Sequence, residues 1–433
     1  MLPTVNAARD WLQRSARTTW FRLAFALLCL AAHLAVNVQS GKRFGMPFNA
    51  APGAAPAYVN PGDGSPARWN RLVVSRWDAG SYVGLGLRGY SQCPPTLDPK
   101  NLAPAMRICN LAFYPSYALV GWLLSFGGRL AIDYVLWGIS LGASLIFLFL
   151  WTGDTLVSRL GLWETYLSLI LLNTFTTGFS LVTVQTEPLT LAATLGSFIA
   201  LHNRRFFLAA ILAGFATGLR ITALSVGGAC ALAILIITIA ERPLDAATWA
   251  KRILQLVLCF WGEIVLATYH AIRFGDPLIY IHAHGQAFKH ESPWKKLLDP
   301  QSLWFVRSIE HPLHEGVWLV AALLWFLLGH RKALGRFPVH EQAFWYALFI
   351  GTLVLAGIGV LPLSFVGMNR YVLLALPLFL AMAAMMKNRP TLLVFWIVIS
   401  LFHYWNVDLC EYTGGPGNRT LEVCHTPHWI GRI

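Results

Sequence analysis

The sequence predicts an all-α polytopic membrane protein. Of its 433 residues, 56% are hydrophobic and only 12% are charged, whereas a soluble domain carries about 25% charged residues. Apolar runs of the length that crosses a bilayer, about 20 residues, recur between residues 20 and 406. Trp and Phe are abundant, as is typical of interfacial aromatic belts and of packing between helices. These three observations together indicate the fold class.

The net charge of +13 would suggest a nucleic-acid partner in a soluble protein. The chain has no zinc-finger spacing, no basic heptad helix and no low-complexity tail. In a membrane protein, cytoplasmic loops and sites for phosphate groups explain an excess of Lys and Arg better. The composition therefore argues against nucleic acid as a partner.

About eleven crossings are predicted from the apolar runs. They lie near residues 20–39, 134–152, 165–183, 188–201, 206–219, 221–240, 252–270, 316–329, 341–360, 370–386 and 391–406. The first run follows several arginines and has no small-residue cleavage site after it. We interpret it as an uncleaved signal anchor, which places residues 1–19 in the cytoplasm.

The apolar segment 111–126 decides the topology. As a full crossing, it would put three short basic loops, 202–205, 330–336 and 387–389, outside the cell. As a short helix along the membrane surface, it leaves all three inside, as the positive-inside bias favours. Pro115 near its start and a Gly-Gly pair after it also fit a short element. We therefore predict an interfacial helix here.

This choice defines the domain organisation. Residues 20–406 form the membrane domain, residues 40–133 a large first exoplasmic loop, and residues 407–433 an exoplasmic tail. A second outer segment, 271–315, is rich in basic residues, which the charge bias disfavours; it includes an amphipathic stretch at 295–313 that we place on the outer leaflet.

The cysteines are consistent with this topology. Cys29, Cys230 and Cys259 fall inside predicted spans as small packing residues. Two pairs, Cys93 with Cys109 and Cys410 with Cys424, fall on the outer side, where an oxidising compartment allows disulfides. The alternative is that these four cysteines are unpaired thiols.

Asp78 is the first candidate catalytic residue, because placing a charged carboxylate in an apolar chain costs free energy. It lies in the block 76–90, RWDAGSYVGLGLRGY, directly after Arg76 and Trp77. It would act as a general base, or orient an acceptor, at the outer membrane surface. The alternatives are a helix cap and a salt-bridged loop residue.

Glu187 and Arg220 are candidates at the outer ends of spans. Glu187 precedes Pro188 in a short turn, where it would either serve the site or simply complement the dipole of the following helix. Arg220 lies between two apolar runs. Its planar guanidinium group would either bind a lipid phosphate or extend to the membrane surface and contact the lipid headgroups.

Two further polar segments face the outer side. In residues 275–288, His282 and Gln286 are candidates for substrate binding; His282 and His284 share a face in an extended chain, but no third ligand has metal spacing. We predict no metal site. In NRY, residues 369–371, Asn369 and Arg370 are candidates for phosphate, and the alternative is interfacial anchoring by Arg370 and Tyr371.

In order along the chain, these blocks resemble a known family. RWDAGSYVGLGLRGY, FYPSYAL, TEPLTL, GLRITAL, FGDPLIYIHAHGQAF and NRYVLLALPLF are similar to the family typified by the second mannosyltransferase of GPI-anchor synthesis and its bacterial relatives. That family belongs to the C-type glycosyltransferase superfamily. The resemblance covers residues 70–385. TEPL and GLRITAL are loose versions of their blocks, and residues 43–70 match nothing in the family.

The resemblance implies a reaction. A polyprenyl-phosphate hexose, such as mannose, would donate its sugar with inversion to an exoplasmic glycan, glycolipid or protein. Asp78 would take the acceptor proton, and Arg220 and Arg370 would stabilise the departing phosphate. His282 and Gln286 would place the donor, with Arg76, Trp77, Tyr82, Glu187, Asn369 and Tyr371 completing the substrate-binding set. No cofactor is implied.

The compact, Ala- and Leu-rich chain favours a bacterial inner membrane with the site facing the periplasm, and the endoplasmic reticulum is the alternative. A sugar or lipid transporter, or flippase, is the alternative function. Transporters often carry internal repeats and mid-membrane charges, and the sequence shows no clear repeat.

Overall fold

A computed structural model describes residues 14–43, 78–90, 93, 97, 102, 110–111, 113–175, 178–287, 315–359 and 372–403. Helices are the regular secondary structure of these ranges, and the predicted all-α class is confirmed for them.

The helices follow the predicted apolar runs in order. They are α1 (Thr19–Arg43), α2 (Ala79–Arg88), α3 (Ser116–Leu124), α4 (Ile132–Trp151), α5 (Asp154–Leu160), α6 (Leu162–Thr174), α7 (Glu187–His202), α8 (Phe206–Thr217), α9 (Leu224–Ala240), α10 (Ala246–Leu258), α11 (Trp261–Phe274), α12 (Ile279–Ala287), α13 (Glu315–Leu334), α14 (Val339–Gly359), α15 (Leu376–Met386) and α16 (Pro390–His403). Short 3-10 turns at Gly178–Val182 and Ile221–Ala223 precede α7 and α9.

Within the described ranges, three helical segments are long and apolar enough to cross a membrane by themselves: Thr19–Gln39, Ile132–Trp151 and Ile221–Ala240. Two bent pairs, α5 with α6 and α10 with α11, raise the number to five if each pair is one span. The structure thus supports a protein with several membrane spans, and the predicted eleven crossings are not confirmed.

Two predicted crossings are interrupted. The run predicted at 165–183 ends as a helix at Thr174, and the 3-10 turn follows. Side chains of α4 donate to its carbonyls: Trp137 Nε1 to Val182 O, at 3.0 Å, and Ser144 Oγ to Leu181 O. Irregular backbone inside a membrane is tolerated where the protein itself satisfies it in this way.

The run predicted at 252–270 bends by 64° between α10 and α11. Close contacts between the backbones of α11 and α8 stabilise the bend. A Cβ on Gly262 would lie 2.4 Å from Gly214 O and 2.5 Å from Gly218 N, so α11 packs directly on α8. The Trp261 indole also donates to Ile211 O, at 2.9 Å. The α11 helix is thereby fixed beside the C-terminal end of α8.

The segment 111–126 forms a short helix, as predicted. The nine residues of α3 rise about 14 Å, less than half the hydrocarbon thickness of about 30 Å. Pro115 caps its start, and Gly127 and Gly128 after it adopt positive φ angles of 73° and 85°. Leu123 is 58% exposed and Phe126 70% exposed, so the helix presents apolar side chains outward.

Ion pairs gather the three basic loops at one end of the bundle, which we call the basic end. Glu164 at the start of α6 binds Arg336 and Lys387, at 3.2 and 2.6 Å. Glu341 at the start of α14 lies 2.9 Å from His202 Nδ1. The segments 202–205, 330–336 and 387–389 therefore lie together, as predicted. We call the opposite end, where α4 and α7 begin and α8 and α11 end, the site end.

The described cysteines differ by location. Cys29, Cys230 and Cys259 are free, consistent with packing residues. Cys93, in the first loop, is disulfide-bonded. Its partner lies outside the described residues, as Cys109, Cys410 and Cys424 do, and the pairing of Cys93 with Cys109 stays a prediction.

Candidate functional site

Asp78 lies at the first position before α2, at the site end. Its backbone is helical, with φ of −63° and ψ of −17°, and its side chain makes no capping hydrogen bond. A capping aspartate instead has an extended backbone and accepts from the second or third amide of its helix. The helix-cap alternative for Asp78 is therefore wrong.

Tyr82, one turn into α2, fixes this helix to the bundle. Its ring packs edge-on against Phe113 and Tyr117, with centroids 5.5 and 5.3 Å apart. The Tyr117 hydroxyl in turn donates to Leu136 O at 2.8 Å and lies 2.7 Å from Ser140 Oγ. Aromatic packing and bonded hydroxyls thus hold the helix that follows Asp78 against α4.

Glu187 and Arg220 form a buried ion pair. Arg220 Nη1 lies 2.8 Å from Glu187 Oε1, and the two side chains are 8% and 0% exposed. Glu187 is in the first turn of α7, where a carboxylate also complements the helix dipole. Arg220 precedes the 3-10 turn that leads into α9. Because Arg220 is buried, the alternative that it snorkels to headgroups is wrong.

The Tyr82 hydroxyl lies within electrostatic range of both Asp78 and this pair. Burial raises the pKa of the Tyr82 phenol well above its usual range; the charges of Asp78 and Glu187 raise it further, and Arg220 opposes them. The phenol therefore stays protonated, and it hydrogen-bonds with Thr186. Residues from three separate segments, 78–82, 186–187 and 220, meet within electrostatic range of one hydroxyl.

The sequence reasoning missed two polar residues beside the pair. Gln185 is 0% exposed and Thr222 is 1% exposed, and each lies two residues from a member of the pair. Neither side chain makes a hydrogen bond with any described residue. A glutamine inside the apolar run LVTVQTEPL was the available signal, because a polar side chain there is costly.

The 275–288 segment contributes a neighbouring aromatic cluster. The Tyr280 hydroxyl donates to Glu263 of α11, and its ring packs edge-on against Tyr114 at 5.2 Å. Burial and the Glu263 carboxylate raise the pKa of Tyr280 above its usual range. Tyr114, Tyr280 and the partly buried Ile221 pack together, so this cluster adjoins the turn after Arg220.

His282 is paired with Asp276. Its Nδ1 is 2.7 Å from Asp276 Oδ2, and its side chain is 54% exposed. The segment is helical rather than extended, so the extended-chain spacing considered for His282 and His284 does not apply. Within the part of the chain that the structure describes, no group of three His, Cys, Asp or Glu side chains could hold a metal.

Several predicted site residues cannot be placed. Arg76, Trp77, Asn369, Arg370 and Tyr371 lie outside the described residues, and so does the side chain of Gln286. The described site thus consists of Asp78, Tyr82, Glu187 and Arg220, with Gln185, Thr186 and Thr222 around them.

Comparison with protein-family models gives no match, and no curated protein sequence matches the chain.

Proposed function

We propose that this protein is a membrane glycosyltransferase that moves a hexose such as mannose from a polyprenyl-phosphate donor to an exoplasmic acceptor with inversion. The observation that carries the proposal is the convergence of Asp78 with the buried pair of Glu187 and Arg220 around the Tyr82 hydroxyl. The order of the sequence blocks, which resembles the family of the second GPI mannosyltransferase, supports it.

In the proposed reaction, a hydroxyl oxygen of the acceptor attacks the anomeric carbon of the donor while the bond to the lipid phosphate breaks. Asp78 accepts the hydroxyl proton, and the electron pair of the broken bond leaves on the phosphate. A positioned general base typically contributes 10²–10⁴-fold. Asp78 suits this task because it is not engaged in capping α2 and is only half-buried.

The roles of Glu187 and Arg220 follow from their pairing. A carboxylate at 2.8 Å offsets the charge of Arg220, so Arg220 is a weaker phosphate clamp than a lone guanidinium. We propose that the guanidinium groups of Arg220 and Arg370 stabilise the charge of the departing phosphate. The carboxylate of Glu187 holds the guanidinium group of Arg220 in position. A lipid phosphate is a good leaving group, and its departure does not require a metal.

We propose that the basic end faces the cytoplasm and the site end faces the periplasm of a bacterial inner membrane. At the basic end, described Lys and Arg side chains outnumber the acids. The basic residues are Arg14, Arg17, Arg22, Arg159, Arg204, Arg205, Arg242, Lys251, Arg252, Arg331, Lys332, Arg336, Lys387 and Arg389, against Asp154, Glu164, Glu241, Asp245 and Glu341. Lys and Arg in short loops favour the cytoplasm, and the exposed apolar face of α3 would rest on the outer leaflet.

A transporter or flippase for lipid-linked sugars is the second candidate. The two bent helix pairs favour it, because transporters bind substrate where helices are broken near the membrane centre. The described site, however, lies at one end of the bundle, where an enzyme would meet an exoplasmic acceptor. We therefore place the enzyme first.

One experiment separates the two functions. The purified full chain, reconstituted in liposomes, is given a polyprenyl-phosphate hexose with a radiolabelled sugar and an extract of cell-envelope glycolipids as acceptor. An enzyme transfers label to the acceptor fraction and releases unlabelled polyprenyl phosphate. Counterflow of intact labelled donor across the bilayer without loss of its sugar would support the transporter and contradict the enzyme.

A further inference from the structure

Gln185 is a fixed but unsatisfied polar side chain beside the ion pair. The Ser140 hydroxyl donates to its backbone carbonyl at 3.2 Å, which fixes its position. Its side-chain Oε1 and Nε2 make no hydrogen bond with any described residue, although the residue is fully buried. Burying an amide without partners is costly, so a ligand that supplies both bonds would gain affinity here.

Thr222 is the corresponding residue two positions after Arg220. Its hydroxyl is buried and makes no hydrogen bond to the described part of the chain. Neighbouring hydroxyls differ: Thr190 donates to Thr186 O at 2.8 Å, and Ser225 donates to Thr222 O at 2.7 Å. Gln185 and Thr222 thus both have unused hydrogen-bonding capacity, and they flank Glu187 and Arg220 in sequence.

The chemistry of these groups favours a hydroxyl ligand over a phosphate. An amide offers both a donor and an acceptor, and a sugar hydroxyl satisfies both, whereas an ionised phosphate only accepts. The Thr222 hydroxyl likewise offers both a donor and an acceptor. A sugar ring, with several hydroxyls and no charge, meets these conditions.

We propose that Gln185 and Thr222 form the subsite that binds the hydroxyl groups of the hexose on the lipid-linked donor. This inference rests on the proposed function and places the sugar ring of the donor next to the Glu187–Arg220 pair, whose guanidinium meets the adjoining phosphate. Both residues bind and orient the ring, and neither exchanges a proton with it.

The test is equilibrium binding of radiolabelled lipids to the purified full chain in detergent. The probes are polyprenyl-phosphate mannose, polyprenyl-phosphate glucose and sugar-free polyprenyl phosphate. Gln185→Leu and Thr222→Val should each weaken binding of at least one hexosyl lipid about 5- to 10-fold, the value of one lost neutral hydrogen bond. Affinity for the sugar-free lipid should not change, and thermal stability should be kept or raised because an unsatisfied polar group is removed.

Matched controls lie at the basic end. Gln255 and Thr238 are buried but bonded, Gln255 Oε1 accepting from Arg252 and Thr238 donating to Ile234 O. Gln255→Leu and Thr238→Val should leave the affinity for all three lipids unchanged. If Gln185→Leu does not fold, Gln185→Met, which keeps the length of the side chain, takes its place.

Three results would overturn the subsite: an equal loss of affinity for hexosyl and sugar-free lipids, no loss for either, or no binding of the hexosyl lipids by the wild type. These are distinguishable from failure of the proposed function. A sugar-selective loss at Gln185 alongside normal turnover of Asp78→Asn would leave the subsite standing and remove the assigned base.

Discussion

At the residue scale, the described site depends on a buried ion pair, in which Arg220 Nη1 lies 2.8 Å from Glu187 Oε1. Glu187 and Arg220 were both singled out, yet their pairing joins positions 33 residues apart and depends on how α7 and α8 pack. Gln185 and Thr222 were not singled out, because a single polar residue in an apolar run does not reveal whether a partner satisfies it. Such information exists only in the tertiary structure.

The buried pair yields a stability prediction. Glu187→Gln should leave the Arg220 charge buried without its carboxylate, and breaking one side of a buried pair costs about 3–5 kcal/mol. Thermal unfolding in detergent should therefore show a much lower midpoint for Glu187→Gln. The double variant Glu187→Leu with Arg220→Met should recover most of that stability but no transfer activity. A fully stable Glu187→Gln variant would show that the two side chains are not paired.

The first-loop disulfide yields a second prediction. We expect Cys93 to pair with Cys109, closing a loop that would stabilise the fold by about 3 kcal/mol. On non-reducing gels with a maleimide-polyethylene-glycol reagent, Cys109→Ser should release one new reactive thiol, and Cys410→Ser should not release the thiol of Cys93. If the thiol of Cys93 becomes reactive in Cys410→Ser or Cys424→Ser, then Cys93 forms its disulfide with a cysteine of the C-terminal tail instead.

At the element scale, apolar periodicity located the helices well and their interruptions poorly. The short helix at 111–126 followed from the positive-inside bias of the three basic loops, with Pro115 and the glycines after the segment in support. The bend between α10 and α11 did not, because it is set by contacts of Gly262 with Gly214 and Gly218 on a different helix. Breaks that neighbouring helices impose leave little trace in local sequence.

The close packing of α11 on α8 is testable. Gly262→Ala would bring a methyl group within 2.5 Å of α8 backbone, so the helices must separate and the turn that carries Arg220 must shift. We expect a lower thermal midpoint and reduced transfer. Gly142→Ala, on α4, meets no atom within 4 Å and should match the wild type. Equal behaviour of the two variants would mean that α8 and α11 are not in close contact.

At the scale of the whole molecule, charge decides orientation. The described ion pairs collect the basic loops at one end and leave Asp78 at the other, in agreement with the topology drawn from the charge bias. Composition and the recurring apolar runs together predicted the helical class. The number of crossings was less secure, because several of the helices are shorter than a bilayer is thick.

Orientation can be measured with single added cysteines at exposed positions. Arg129 lies at the site end and Lys332 at the basic end, and both side chains are exposed. A membrane-impermeant maleimide added to intact spheroplasts should label Arg129→Cys strongly and Lys332→Cys only after permeabilisation. The reverse pattern would place the site in the cytoplasm and remove the proposed exoplasmic acceptor.

The central claim is that the carboxyl group of Asp78 accepts the acceptor proton. The most direct measurement is the single-turnover rate of sugar transfer by Asp78→Asn, with donor affinity measured on the same preparation. We predict a rate lowered by about 10²–10⁴-fold with donor affinity and thermal midpoint unchanged, while Asp245→Asn, an exposed helix cap at the basic end, keeps the wild-type rate. A folded Asp78→Asn variant that transfers sugar at the wild-type rate would contradict the account.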